Sequence, residues 1–174
     1  VALIAITADS LWIDELMSAF LAMGDDLAAY KVRTATLNTS DIQMPCDMFY
    51  LHLWENAFGH AERVLRLANL PWFVFGIASL WHFLRDSPPL RWMTIALLLV
   101  SPFAWYYLNE ARPYAMQLGA SCAVFGCAAR VIWGGGASLT TADLAIAAFG
   151  LVAMAGASLL SVPWVGMFAL VIVW

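Results

Sequence analysis

The chain has 174 residues, 63% of them hydrophobic and only 11% charged, with a mean hydropathy of +0.79. Soluble domains use about 45–50% apolar and 25% charged residues, so this composition marks a membrane protein. A net charge of −4 argues against a nucleic-acid partner, which calls for a basic face, and Cys46, Cys122 and Cys127 form neither a disulfide framework nor a zinc spacing.

Val1 to Ile6 is too short to span a bilayer and lacks the basic region and cleavage site of a signal peptide, so the chain reads as a fragment opening inside a helix. The next stretch, "SLWIDELMSAF", sets Asp14 and Glu15 side by side at the edge of an apolar run. Carboxylates at the hydrocarbon boundary are costly unless hydrated or paired, which makes them functional candidates. Equally, Asp14 fits an N-cap and Glu15 a first helical turn. Leu16, Phe20, Met23 and Leu27 recur at helical spacing, as do Phe49, Leu53, Trp54 and Phe58. The spacing predicts two amphipathic helices lying on the outer membrane surface within a loop over 8–66, joined by the polar "RTATLNTSDIQ". Asp25–Asp26 reads as solvated loop.

Uncharged stretches of about 20 residues cross a bilayer. Residues 67–84 form the first such stretch after the loop. The link "RDSPPLR" follows, and its Arg85 and Arg91 place it on the cytoplasmic side. Residues 92–109 form the second stretch, then "NEARPYA" makes a tight outer turn carrying Glu110, Arg112 and Tyr114. Arg112 has two readings, an interfacial anchor or a guanidinium fork for phosphate or carboxylate; Pro113 suits the first turn of the next helix. Residues 113–129 form the third stretch. After Asp143 the chain is uncharged to its end, too long for one helix, and divides near "SVPW", where Pro163 removes a backbone donor. The last piece is still apolar at Trp174. The expected architecture is an all-α, multispanning transmembrane bundle: one domain over 1–174, with about four spans after residue 67, forming the N-terminal part of a longer chain. His52, His60 and His82 lack close Cys or His neighbours in sequence and read as packing or interfacial histidines rather than metal ligands.

Several of these pieces, "LWIDELMSAF", "DIQMPCDMFYLHLWENAFGHAERVLRL" and "SPFAWYYLNEARPYAMQL", resemble in order and spacing the bacterial polyprenyl-phosphate-sugar glycosyltransferases. That group is similar to the dolichyl-phosphate-mannose protein mannosyltransferases and shares their GT-C membrane fold. The family's Asp-Glu pair corresponds to Asp14–Glu15, its Phe-Gly…Glu…Arg-Leu run to Phe58–Gly59…Glu62…Arg66–Leu67, and its Glu-Ala-Arg-Pro-Tyr-Ala turn to Glu110 through Ala115. Where the family has His-Pro-Pro, this chain reads Gln43–Met44–Pro45 and lacks that histidine.

The resemblance implies sugar transfer with inversion, from a polyprenyl-phosphate donor to a lipid, glycan or protein acceptor, at the outer face of a bacterial inner membrane. It makes Asp14 the general base. Arg112 becomes the first candidate for the leaving phosphate and Arg66 the second, while Glu110 orients Arg112 or meets sugar hydroxyls and Tyr114 contacts substrate. Glu15 either supports Asp14 or holds a divalent cation, Mg or Mn. The implied partners are the lipid-linked donor and membrane lipid, and this part alone is expected to be inactive. The alternative is a non-catalytic multispanning protein such as a transporter or assembly partner. A transporter places ionisable groups near mid-span, whereas Asn69, His82 and Gln117 lie toward the ends of their stretches.

Overall fold

A computed structural model describes residues 11, 13–23, 26–37, 43–133 and 138–173 of the protein. The short run Val1–Ile6, Trp12, Asp25, part of the polar link and Trp174 lie outside the described residues. Among the described residues every regular element is helical.

The 8–66 region contains more helices than the two predicted. Helix α1 spans Ile13–Ala22 and α2 spans Leu27–Leu37; the Asp26 carboxylate accepts from the Ala29 backbone N–H at 2.7 Å, so this acid caps α2. Helix α3, Pro45–Phe58, begins on Pro45, whose missing N–H is no loss in a first turn. It ends at Gly59, whose φ of 98° is cheap only without a Cβ. Helix α4, Glu62–Leu67, then leads through Ala68 into α5, Asn69–Phe83. The apolar stripe Leu16, Phe20, Met23 and Leu27 is exposed, while α1 turns Glu15, Ser18, Ala19 and Ala22 inward.

Together α4 and α5 make a 22-residue apolar stretch, Glu62–Phe83, and α8, Tyr114–Trp133, makes one of 20 residues. Both are long and apolar enough to cross a membrane. The expected span over 92–109 is divided instead: α6 covers Pro88–Val100 and α7 covers Pro102–Leu108. Pro102 cannot continue a helix, and Ser101 adopts extended backbone with its hydroxyl accepting from the Ala104 N–H. Helix α8 also runs past the expected end at residue 129 to include Arg130. Helix α9, Thr141–Ala157, starts with a reciprocal cap between Thr140 and Asp143. After a 3₁₀ turn at Leu159–Ser161, α10 covers Val162–Val173 and takes Pro163 into its first turn, near the predicted division.

Helix α8 is the central post, packed against α5, α7, α9 and α10. Its buried face is built from small residues, including Ala115, Gly119, Ala120, Ala123 and Cys127, which let neighbouring backbones approach closely. A Cβ at Gly119 would run into the Trp72 carbonyl oxygen. Gly119→Ala therefore forces α5 and α8 apart, and overpacking of this kind costs about 1–3 kcal/mol. The expected result is a lowered thermal midpoint, read by tryptophan fluorescence in detergent. Gly166→Ala, where nothing lies within 4 Å of the added Cβ, should leave the midpoint in place.

Opposite ends of α5 carry different chemistry. Asn69 meets the 107–110 segment at one end. At the other, about 20 Å away by helical rise, His82 Nε2 lies 2.6 Å from Asp143 Oδ1, with Arg130 Nη1 3.9 Å from the same oxygen. His82 thus has a carboxylate partner 61 residues away in sequence.

Candidate functional site

The candidate site forms where the start of α1 meets the turn between α7 and α8. The inner faces of α1, α3 and α4 and the turn share one apolar cluster of Ala19, Ala22, Leu51, Leu65, Ala68 and Ala111. Two side-chain bonds lock α3 to the α4–α5 joint: the Tyr50 hydroxyl donates to the Ala68 carbonyl at 2.7 Å, and Trp54 Nε1–H to the Val64 carbonyl at 2.8 Å. His52 belongs to this scaffold, buried, with Nδ1 2.9 Å from the Ala22 carbonyl oxygen and its ring stacked on Tyr30. Asn69 fixes the turn, its amide donating to the carbonyls of Tyr107, Leu108 and Glu110 at 3.3, 3.2 and 2.6 Å.

On this frame Glu15 and Arg66 form a buried ion pair, 1% and 2% exposed. Arg66 Nη2 donates to Glu15 Oε2 at 3.1 Å and Nε donates to Oε1 at 3.4 Å. The Ala111 N–H donates to Oε1 at 2.7 Å, so one carboxylate joins α1, α4 and the α7–α8 turn. Planar two-point pairing of guanidinium and carboxylate is among the stronger hydrogen-bonded arrangements.

Immediately above lies a cavity of about 190 Å³ lined by Asp14, Glu15, Tyr106, Glu110, Arg112 and Tyr114. Arg112 Nη1 donates to Ser18 Oγ at 2.9 Å and to the Asp14 carbonyl at 3.5 Å, so the guanidinium is tethered to α1. Asp14 is exposed, the second residue of α1, with its charge at the positive end of the helix. The Tyr114 ring lies 4.7 Å from that of Tyr107, giving the rim an aromatic wall.

Of the six residues singled out in the sequence, Asp14, Glu15, Glu110, Arg112 and Tyr114 line this cavity. Arg66 does not; it sits behind Glu15, which it holds in place. Sequence reading passes over Ser18, Tyr106 and, as a site-positioning residue, Asn69. Their signals are positional: Ser18 falls one turn after Asp14, Tyr106 four residues before Glu110, and Asn69 is a lone amide at the start of an apolar stretch.

Both oxygens of Glu15 accept hydrogen bonds, Oε2 from Arg66 and Oε1 from Arg66 and the Ala111 N–H. Among the described residues no three His, Cys, Asp or Glu side chains are grouped to hold a metal. No family model, curated protein or solved structure matches this chain.

Proposed function

We propose that the protein is a membrane glycosyltransferase that moves a sugar from a polyprenyl-phosphate donor to an acceptor hydroxyl with inversion. The observation that carries this reading is a convergence. Asp14 and Glu15 of α1 and Glu110, Arg112 and Tyr114, nearly a hundred residues later, share one cavity, and they are the residues singled out by the resemblance in "WIDE" and "NEARPYA".

The chemistry rests on the side chains present. The Asp14 carboxylate takes the proton from the acceptor hydroxyl as its oxygen bonds to the anomeric carbon. The bond from that carbon to the phosphate oxygen breaks on the opposite face, and polyprenyl phosphate leaves with the electron pair. Negative charge growing on the phosphate is met by Arg112, held by Ser18 and so restrained before the reaction begins. Glu110 and Tyr114 meet the sugar, and Glu15 and Arg66 are positioning residues that hold α1 against the turn. At about 190 Å³ the cavity is smaller than the roughly 300–1,000 Å³ of sites that enclose drug-sized ligands. That size suits one sugar ring with its phosphate, leaving the prenyl chain outside.

In this reading the chain crosses the membrane several times, with the cavity facing outward and the Arg85–Arg91 link in the cytoplasm. The transporter alternative draws less support, because Glu110 and Arg112 lie at one end of α8 and Arg130 at the other, with no charged residue between.

The test uses membranes containing the complete polypeptide and polyprenyl-phosphate sugar labelled in the sugar. Wild-type membranes should consume donor and release polyprenyl phosphate, and Arg112→Ala should raise the KM for donor. Donor consumption no faster than in membranes lacking the protein would overturn the reading.

A further inference from the structure

At the end of α5 away from the candidate site, the link "RDSPPLR" and the residues beside it bring together cations and indoles that the transfer chemistry does not use. The Arg91 guanidinium lies over the Trp81 ring, 4.1 Å from its centroid, and 5.9 Å from that of Trp92. The two indoles meet edge to face at 5.1 Å and form an aromatic corner that holds the cation. Both are exposed, so the corner lies at the surface.

Among the described residues no carboxylate pairs with Arg91, and its side chain makes no hydrogen bond. Of its guanidinium nitrogens only Nε is enclosed, which leaves the two terminal amino groups open. Arg91 also stands in the first turn of α6, where the helix dipole opposes a cation and favours an anion. Asp86, the acid in the link, faces Arg130 of α8 instead, with Oδ2 3.8 Å from Nη2. A second cation lies close by. The Leu84 N–H is still bonded to the Leu80 carbonyl, so the chain keeps its helical course past Phe83 and carries exposed Arg85, four residues after Trp81, to the side of that ring.

We infer that this corner binds the headgroup of an anionic phospholipid, with the open edge of Arg91 on the phosphate oxygens and Arg85 beside it. A guanidinium is always charged and its fork matches phosphate oxygens at two points. The membrane is the source because apolar surface continues from each indole. Val74 lies seven residues before Trp81 on α5 and Leu99 seven after Trp92 on α6, so each shares its indole's face, and both are exposed. Acyl chains cover those faces, whereas a free phosphate would leave them bare. A zwitterionic headgroup brings its own cation and gains less from two arginines. This site does not depend on the glycosyl-transfer reading.

The experiment titrates the complete protein in detergent with phosphatidylglycerol or phosphatidylcholine of identical acyl chains and reads bound lipid by native mass spectrometry. Each arginine beside an anionic headgroup favours it by about fivefold, so phosphatidylglycerol should bind roughly 20-fold more tightly than phosphatidylcholine. Arg91→Gln should lower that preference by about fivefold, and Arg85→Gln, a change at an exposed residue that the fold tolerates, by a similar factor. Arg63→Gln removes an exposed cation at the other end of the α4–α5 stretch and should leave the preference as it is. Millimolar inorganic phosphate should not displace the lipid. Equal binding of the two lipids by the wild type, an unchanged preference in either Arg91→Gln or Arg85→Gln, an equal loss in Arg63→Gln, or displacement by inorganic phosphate would each overturn the proposal.

Discussion

Arg66→Ala should be the most destabilising single change in the outer region, costing about 3–5 kcal/mol, the usual penalty for leaving one member of a buried ion pair without its partner. The variant takes the guanidinium from Glu15, 1% exposed beneath the cavity, and the neutral Ala111 N–H does not supply the charge that is lost. The apolar pair Glu15→Leu with Arg66→Met should recover much of the loss, because it removes both charges while keeping volume. Limited proteolysis between residues 11 and 67, followed against temperature in detergent, reads this directly. Early cleavage should appear in Arg66→Ala and largely disappear in the double variant. If both variants resist cleavage like the wild type, the pair contributes little to holding α1 on the turn, and Arg66 becomes available again as a phosphate ligand. Glu15→Gln separates charge from shape: it keeps an acceptor for the Ala111 N–H while removing the carboxylate charge that faces Arg66.

Hydropathy locates most apolar helices but misjudges their continuity. It averages side chains and is blind to backbone donors, so 92–109 looks like one span although Pro102 interrupts it and Ser101 caps the second of the two helices that result. The same reasoning applied to Pro163 does find the break after Ala157. Gly59 is legible only as part of a motif, because a positive φ depends on where the chain must turn. The repeated Leu16, Phe20, Met23 and Leu27 mark α1 but not its end, since Met23 lies just beyond it and Leu27 opens α2, and the inward face of α1 is made of small and polar residues suited to close packing.

The site shows the same division between local and distant information. Asp14, Glu15 and the Glu110–Tyr114 turn stand out locally, as acids and a guanidinium beside apolar runs. Pairing is not local: Glu15 and Arg66 are 51 residues apart and Glu15 and Ala111 are 96 apart, so the sequence can offer Arg66 as a phosphate ligand but cannot show its partner. His82 and Asp143 illustrate the point again at the other end of the bundle.

Asp14→Asn should lower sugar transfer by about 10²–10⁴, the range for losing a positioned general base, with little change in folding. Asp14 is exposed and helical, so its structural contribution is limited to a favourable charge in the first turn, about 0.3–1 kcal/mol. Asparagine preserves size and hydrogen bonding but cannot accept a proton at neutral pH. Donor affinity should persist, since Arg112 takes its hold on α1 from the Ser18 hydroxyl and the Asp14 backbone carbonyl, and neither is altered by the substitution. The loss therefore belongs in kcat alone, whereas Arg112→Ala should lower kcat and raise the donor KM together, because the phosphate is charged in the bound donor and gains charge as it leaves. A variant that folds and transfers sugar at nearly the wild-type rate would reduce Asp14 to a charge at the start of α1 and send the search for the base to Glu110, the other carboxylate on the same cavity that Arg66 does not hold. Glu110→Gln measured beside Asp14→Asn then decides between the two, because a single base predicts one large loss and one small one.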